Sequence, residues 1–334
     1  MGRLGRALCI ICTWCAGALV PMSCAWAAPE LSPLRAQFEL ADDHIDYGET
    51  KLLVDRVIAP ETDTDSVRRQ LDQWELAIRG MLPAHPTPRQ ILDTLLKTLY
   101  LAGPWNQGRP FSYDLSDPLG RNPKNKLLAT YLANRKGNCV SMPILVAILG
   151  QRLHLPVTFA TAPSHVLVKF GDKQQGIWLN VEATAGGFKS DSSYERETNI
   201  SASAIKNGIY LRPLTPHEGV GVIAATLMEH YAAQKNGDAL MAVADLALKA
   251  NPRDAVAMVW KANAYHLQTE QRITSRYPNA SDMPPALRET YHRLTRENLA
   301  WFAKAEALGW TQETPEQEAD YLQSIEREQA RRSP

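Results

Sequence analysis

The sequence predicts an α+β domain followed by an all-α region, and three observations lead to this prediction. Apolar residues recur at helical spacing through much of residues 40–99. Residues 139–182 begin with a strongly apolar helical stretch and continue with short stretches of alternating polar and apolar residues, the pattern of strands. From Val222 almost to the end, the spacing is helical again. We therefore expect a helical N-terminal part, a helix packed on a small antiparallel sheet, and then a helical block.

The first 27 residues have the three parts of a secretory signal peptide. Arg3 and Arg6 supply a positive start, residues 7–20 are apolar and uncharged, and residues 25–27 form a small-x-small cleavage site. The apolar part is shorter than the ~20 residues that a membrane-spanning helix needs. We expect cleavage after Ala27 or the next residue, and a periplasmic or secreted mature protein.

Two other fates of this leader stay open. An uncleaved leader would anchor the chain in a membrane, and lipidation of Cys24 would attach it through a lipid. Pro21, three residues before Cys24, fits a lipidation site poorly. No later segment is apolar over a sufficient length, so we expect no stable membrane span after cleavage.

The charge balance and the length of the chain limit its possible functions and its number of domains. The chain carries 36 Lys and Arg residues against 36 Asp and Glu residues, so no basic field indicates nucleic-acid binding. The chain without its leader is long enough for two domains of ordinary size. We predict an α+β domain over residues 28–215 and a helical domain over residues 216–334.

Helices and one long loop make up the region before residue 127. Apolar spacing predicts helices over residues 47–58 and 67–81. Thr87 is a capping residue for a third helix, with Pro88 at its first position. Residues 102–124 are rich in Gly, Pro, Asn and Asp and predict a long loop, and such loops are often functional.

The distribution of cysteines singles out one thiol. Of the five cysteines, four lie in the leader, and the mature protein would keep Cys139 alone. A lone thiol in an oxidising compartment is prone to oxidation. A role as a nucleophile explains its presence more easily than a packing role does.

The sequence around Cys139 predicts the start of a helix. A short helix over residues 127–132 and a turn over 134–138 precede it, and a strongly apolar stretch follows. Pro143 fits the first turn of a helix that begins between Cys139 and Met142, because that turn has no intrahelical partner for its N–H groups. The helix dipole would favour the thiolate over the thiol at this position.

The predicted strands, at residues 157–160, 165–170 and 177–182, carry the remaining candidates. His165 opens the second strand, and Asn180 and Glu182 share one face of the third. A cysteine nucleophile needs a base, and the base needs a third group that fixes its tautomer and orientation. Cys139, His165 and either Asn180 or Glu182 supply these three types on consecutive elements.

The sequence also offers candidates for an oxyanion donor, whereas it lacks the patterns of metal and cofactor sites. The Cys139 N–H is a candidate donor to a developing oxyanion, and Trp105, Asn106 and Gln107 are side-chain candidates from the long loop. The eight histidines are scattered without metal-ligand spacing, and no phosphate loop or dinucleotide fingerprint occurs. We therefore expect neither a metal nor a cofactor.

The C-terminal third has the period of tetratricopeptide helix pairs. Tyr231 and Tyr265 are separated by 34 residues, with a Gly237-Asp238 turn and an Asn251-Pro252 stop between them. A proline-bearing segment at 277–285 interrupts a second pair. Two repeats fall below the three that a free-standing solenoid needs, so we expect this block to pack on the first domain and to offer a surface for a protein partner.

The motifs around the candidate triad resemble those of transglutaminase-like proteins. The chain is similar to their bacterial SirB-like transglutaminase-core branch, often joined to tetratricopeptide repeats. The resemblance covers roughly residues 40–190, and its matching stretches are residues 114–123, 128–137, 153–157 and 163–168, together with Ser141.

This resemblance implies a papain-like fold, a Cys-His-Asp triad and thioester chemistry. Cys139 and His165 match the first two members, and Glu182 falls where the family usually has aspartate, while Asn180 offers the amide that papain-like proteases use. Many members of the branch have lost the cysteine, and its retention here favours activity.

Two functions from different classes follow. The first is an exported cysteine-dependent enzyme that forms a thioester on Cys139 with His165 as base and acts on a protein or peptide amide, as a protease, amidase or transglutaminase. The second is a weakly active or inactive binding module that uses the C-terminal repeats for protein–protein interaction.

Overall fold

The computed structural model of the chain describes residues 31–172 and 176–332. The predicted leader, including Cys24, lies outside the described residues. Among the described residues, no helix is both long and apolar enough to cross a membrane.

Helices surround a small sheet in the first part of the chain and form the whole of the last part. The described helices are α1 (Ser32–Gln37), α2 (Tyr47–Ile58), α3 (Thr64–Arg79), α4 (Pro88–Tyr100), α5 (Leu128–Asn134), α6 (Ser141–Arg152), α7 (Asp191–Glu197), α8 (Ala202–Asn207), α9 (Pro216–Ala233), α10 (Gly237–Ala250), α11 (Ala255–Thr269), α12 (Pro285–Ala307) and α13 (Pro315–Arg332). The described strands are β1 (Ser112–Tyr113), β2 (Lys136–Gly137), β3 (Val157–Ala162), β4 (His165–Asp172), β5 (Ile177–Glu182) and β6 (Gly187–Lys189).

The N-terminal helices begin where their capping residues predict. Asp46 accepts a hydrogen bond from the N–H of Glu49 at the start of α2, and Thr87 forms a reciprocal capping box with Gln90 at the start of α4. Pro88 occupies the first turn of α4, where its missing N–H has no intrahelical role. The predictions for α2 and for the helix after Thr87 are confirmed, whereas α3 begins three residues before and ends two residues before the predicted bounds of 67–81.

Helix α6 is the centre of the first domain. Every residue from Ser141 to Gly150 is buried, so the helix is apolar on all sides. It packs against α2, α3, α4, α5, β3 and β4. The helix begins at Ser141, inside the predicted window, and this places Cys139 in the turn that leads into it.

The sheet is antiparallel, in the order β3-β4-β5-β6. Ala162 pairs with His165 across a tight turn between β3 and β4, and Lys169 pairs with Asn180 across β4 and β5. Strands β3 and β4 each extend two residues beyond the prediction, while β5 has the predicted bounds. A helix packed on a small antiparallel sheet is confirmed.

Several short elements differ from the prediction. The loop over residues 102–124 contains β1, which pairs in parallel with β2, so the predicted turn at 134–138 also contains a strand. Strand β6, which begins at Gly187, was not predicted. Helices α7 and α8 were not predicted. A strand of two or three residues and a helix of six or seven are too short to show a hydrophobic period.

The C-terminal helices share a core with the first domain. Helix α9 packs against α2 and β3, and apolar side chains of α9 and α10 belong to the same buried cluster as those of α2, α4 and α6. Gly219 permits this contact, because a Cβ there would lie 2.5 Å from the Tyr47 hydroxyl. The expected packing of the helical block on the first domain is confirmed, and the block breaks near the predicted segment, between α11 and α12.

Candidate active site

A hydrogen-bonded turn presents Cys139 in front of α6. Asn138 Oδ1 accepts hydrogen bonds from the N–H groups of Val140 and Ser141, at 3.0 and 3.1 Å, and Ser141 Oγ accepts one from the Asn138 N–H at 3.1 Å. Gly137 lies against the ring of Tyr131, where a Cβ would approach within 2.6 Å. A side chain at residue 137 would therefore push the turn out of position.

The thiol and the backbone N–H of Cys139 differ in their hydrogen bonding. Cys139 is half-buried, and its Sγ donates a hydrogen bond to the carbonyl oxygen of Ser164 over 3.5 Å. The Cys139 N–H makes no hydrogen bond with the residues that the structure describes. Since the turn leads directly into α6, this N–H is available at the positive end of the helix dipole.

His165 connects the thiol to a carboxylate. Its Nε2 lies 3.0 Å from Glu182 Oε2, and its imidazole also interacts with the Cys139 side chain. Burial alone lowers the pKa of His165, but the hydrogen bonds and negative charges of Cys139 and Glu182 outweigh burial and raise its pKa to about 9. The imidazolium form of His165 is therefore favoured.

Glu182 is held by donors on both of its oxygens. Oε2 accepts hydrogen bonds from His165 and from the Tyr194 hydroxyl, the latter at 2.7 Å, and Oε1 accepts them from the Thr184 N–H and hydroxyl at 3.1 and 2.6 Å. Burial raises the pKa of Glu182, but the hydrogen bond and charge of His165, together with the Thr184 and Tyr194 donors, lower it to about 2. The carboxylate therefore stays ionised and fixes the imidazole.

Asn180 lies on the same face of β5 but has a different partner. Its Nδ2 donates to Asp191 Oδ1 at 2.6 Å, and Lys169, directly across the sheet, donates to the same oxygen at 2.9 Å. The structure thus brings Cys139, His165 and Glu182 together, and it places the Asn180 amide in a neighbouring polar cluster.

The family comparison matches this segment of the chain. Residues 65–218 match the family model of the transglutaminase-like superfamily. These residues form a transglutaminase-like domain. Proteins of this superfamily are generally cysteine-dependent proteases or acyltransferases. No curated protein and no solved structure matches the chain.

The transglutaminase-like domain contains Cys139, His165 and Glu182, and the matched segment ends at the third residue of α9. The helices beyond residue 218 lie outside the match, so their relation to tetratricopeptide repeats stays a prediction. The same holds for the assignment to the SirB-like branch.

Two of the three side chains expected to supply an oxyanion donor from the long loop donate their N–H groups elsewhere. The Trp105 indole N–H donates to the carbonyl of Leu101, and the buried Asn106 amide donates to the carbonyls of Thr98 and Leu101. Gln107 is exposed and takes a left-handed backbone conformation. Trp105 and Asn106 thus use their N–H groups at the C-terminal end of α4, so the expectation of an oxyanion donor is wrong for these two and stays a prediction for Gln107.

Sequence reasoning missed Thr184, Tyr194 and Ser164, which hydrogen-bond with the side chains of Glu182 and Cys139. Thr184 carried a weak signal, since a hydroxyl two residues after a carboxylate commonly closes a local hydrogen bond. Tyr194 lies on α7, twelve residues beyond its partner, and no periodic pattern points to it. Among the described residues, no group of His, Cys, Asp and Glu side chains is arranged to hold a metal ion.

Proposed function

We propose that this protein is an exported cysteine-dependent acyl-transfer enzyme that acts on amide bonds of proteins or peptides. The observation that carries the proposal is the continuous hydrogen-bonded chain from Cys139 through His165 to Glu182. Its order of nucleophile, base and orienting carboxylate is the order that thioester chemistry needs. The family match over residues 65–218 supports the same reaction class.

In the acylation step, the Cys139 thiolate attacks the carbonyl carbon of the amide and forms a tetrahedral oxyanion. His165, as the imidazolium, gives its proton to the leaving nitrogen, and the C–N bond breaks. The products are an amine and a thioester on Cys139, so protons and electron pairs balance. Glu182 stays ionised throughout and holds His165 in the required orientation.

The acyl group then leaves through attack on the thioester by a second nucleophile. His165 takes a proton from water in hydrolysis, or from an amine in transamidation, and the thiolate is restored. We favour hydrolysis, because the sequence offers no second site for an acyl acceptor. The free Cys139 N–H is the donor that we assign to the oxyanion in both steps.

The test uses casein as a generic acyl donor and dansylcadaverine as an amine acceptor. New peptides or released ammonia report hydrolysis, and dansyl incorporation reports transfer. We expect Cys139→Ala to lose whichever activity the wild-type chain shows, by at least about 10³-fold, since no other group can form the thioester. If every measured activity survives Cys139→Ala, the proposal is wrong.

A substrate-independent test follows the rate at which iodoacetamide alkylates Cys139 as a function of pH. The Cys139→Ala chain supplies the background from the other cysteines. We expect fast alkylation near neutral pH in the wild type and slow alkylation in His165→Ala, because the imidazolium stabilises the thiolate. Equal rates in the two proteins would show that the thiol is not activated.

The second candidate is a binding module built on the same fold. The observation in its favour is Glu182, which stands where the family usually has aspartate. Capture of casein peptides that persists in Cys139→Ala, without turnover by the wild type, would favour this function over catalysis.

A further inference from the structure

The C-terminal end of the chain lies against both sides of the turn that carries Cys139. On one side, Ser164, whose carbonyl accepts the thiol hydrogen bond, donates its hydroxyl to Glu313 at 3.0 Å. On the other side, Tyr113 pairs across β1 and β2 with Gly137, two residues before the nucleophile, and its hydroxyl lies 2.9 Å from that of Tyr321. The segment from Glu313 to Tyr321 therefore crosses from one flank of Cys139 to the other.

Two further contacts fix this crossing. The Tyr321 hydroxyl donates to the carbonyl of Pro118 at 3.2 Å, and Arg121 pairs with Glu318 at 2.6 Å. Pro118 and Arg121 belong to the loop over residues 102–124, which thus forms part of the rim of the site. Eight residues separate Glu313 from Tyr321, and a largely helical path of that length covers roughly 12 Å, enough to span the mouth of a peptide site.

The negative charges of the Cys139 site affect the pKa of the Tyr113 and Tyr321 hydroxyls. Burial raises the pKa of Tyr113, and the negative charge of Cys139 raises it further. Burial also raises the pKa of Tyr321, against the hydrogen bond from Tyr113, and Cys139 and Glu182 add to the increase. Both hydroxyls therefore lie within electrostatic range of the catalytic groups.

These contacts are polar and exposed, so they are individually weak. The side chains of Arg121 and Glu318 are 70% and 40% exposed, and no described residue of α13 is buried. Exposed ion pairs contribute little to stability because water and salt screen them. A segment held in this way can leave its surface without unfolding the core.

We propose that residues 313–321 form a lid that occupies the peptide-binding surface at the mouth of the Cys139 site, and that this lid must leave before a peptide substrate binds. The surface is bounded by Tyr113, the Pro118 carbonyl, Arg121 and Ser164. Its occupant in this structure is the chain's own C-terminal segment, with its acidic side chains opposite Arg121. The assignment of the surface to a substrate rests on the proposed function, whereas the contacts of residues 313–321 on both sides of the Cys139 turn do not.

The test compares two maleimides that share one reactive group. N-ethylmaleimide is small, and a maleimide with a long polyethylene glycol chain is large. The ratio of the large-reagent rate to the small-reagent rate at Cys139 measures how open the mouth is, and Cys139→Ala supplies the background. Because both reagents attack the same thiol, a change in its reactivity cancels in the ratio.

The experiment uses full-length variants in which a reversed charge is expected to open the lid. Glu318→Arg places two cations together, so we expect the ratio to rise about 3-fold or more, and Arg121→Glu should act likewise. The double variant Arg121→Glu with Glu318→Arg restores an ion pair, and we expect its ratio to return to the wild-type value. Glu316→Arg makes the same charge change on an exposed position of the same helix and serves as the matched control.

Two results would overturn the lid. The first is a ratio that stays at the wild-type value both in Glu318→Arg and in the double variant Tyr321→Phe with Glu313→Ala, which removes the Tyr113 and Ser164 hydrogen bonds of the segment. The second is an equal rise in Glu316→Arg, which would indicate a general charge effect. His165→Ala separates this question from catalysis: if it leaves the N-ethylmaleimide rate unchanged, the proposed enzyme function fails, while the ratio still reports on the lid.

Discussion

The Tyr194 hydroxyl donates a 2.7 Å hydrogen bond to Glu182 Oε2, the same carboxylate oxygen that holds His165. The ring of Tyr194 also lies beside the imidazole, with 5.8 Å between the two ring centroids. Tyr194 does not reach the thiol, so it acts on the reaction through the position and charge of its neighbours. It is a positioning residue that only the fold brings to the site.

Tyr194→Phe tests this role. The variant keeps the ring and removes the donor, so the pKa of Glu182 should rise from about 2 and its hold on His165 should loosen. We expect kcat to fall about 10-fold with little change in KM, and the acid limb of the pH–rate profile to move to higher pH. Tyr231→Phe is the matched control, because the described residues offer its buried hydroxyl no hydrogen-bond partner. Equal effects in both variants would contradict the role.

Glu182→Gln separates the two candidates for the third triad member. The neutral amide removes a charge that raises the pKa of His165, so this pKa should fall from about 9 toward 6.5. We expect kcat to fall at least about 10²-fold, and an NMR titration of the imidazole to show the shift.

Asn180→Ala is the control for that variant, since its amide binds Asp191 and not His165. It should lower the free energy of unfolding by about 1 kcal/mol and leave the imidazole titration unchanged. A shift in Asn180→Ala as large as that in Glu182→Gln would make the amide the orienting group.

The stability of the protein should depend on pH through the His165–Glu182 pair. The raised pKa of His165 gives stability that is complete below 6.5 and is lost as pH rises through about 9. The lowered pKa of Glu182 gives stability that is complete above 4.5 and is lost as pH falls through about 2. The stabilisation is therefore largest between pH 4.5 and 6.5.

Urea unfolding at a series of pH values measures this effect. We expect the wild type to exceed Glu182→Gln in free energy of unfolding by about 2 kcal/mol inside that window, and by less on either side. Glu61→Gln, at an exposed position, is the control and should give a pH-independent difference. A difference for Glu182→Gln that is flat from pH 3 to pH 9 would show that the pair is not coupled in the folded state.

The buried ion pair of Lys51 and Asp55 should be the most sensitive charged site outside the triad. Both side chains are 0% exposed, and Asp55 also accepts a 2.8 Å hydrogen bond from the Leu128 N–H. Asp55→Asn leaves the ammonium buried without its counter-charge, which we expect to destabilise the protein by about 3–5 kcal/mol. Asp93→Asn breaks an exposed pair at the same i,i+4 spacing, with Arg89, and should change stability by less than about 0.5 kcal/mol. Comparable losses in thermal unfolding would contradict this reasoning.

Local physics determined much of the fold. The capping box at Thr87 and the apolar run after Cys139 depend on residues within one or two turns of each other, so the sequence alone predicts these helices. The order of Cys139, His165 and Glu182 along consecutive elements was readable for the same reason, because each lies at the end of a strongly patterned segment. The periodicity of the sequence was therefore enough to single out Cys139 and His165.

Tertiary contacts decided what the pattern left open. Glu182 and Asn180 share one strand face, and only the position of α7 directs one toward His165 and the other toward Asp191. Two other contacts join segments that are far apart in the chain. Strand β1 pairs with β2, and residues 313–321 lie against the residues on both sides of the Cys139 turn. Such contacts depend on how the elements pack and not on local spacing. The sequence by itself therefore determined which reactive groups are present, and the tertiary structure decided their hydrogen-bond partners and the segment that lies beside them.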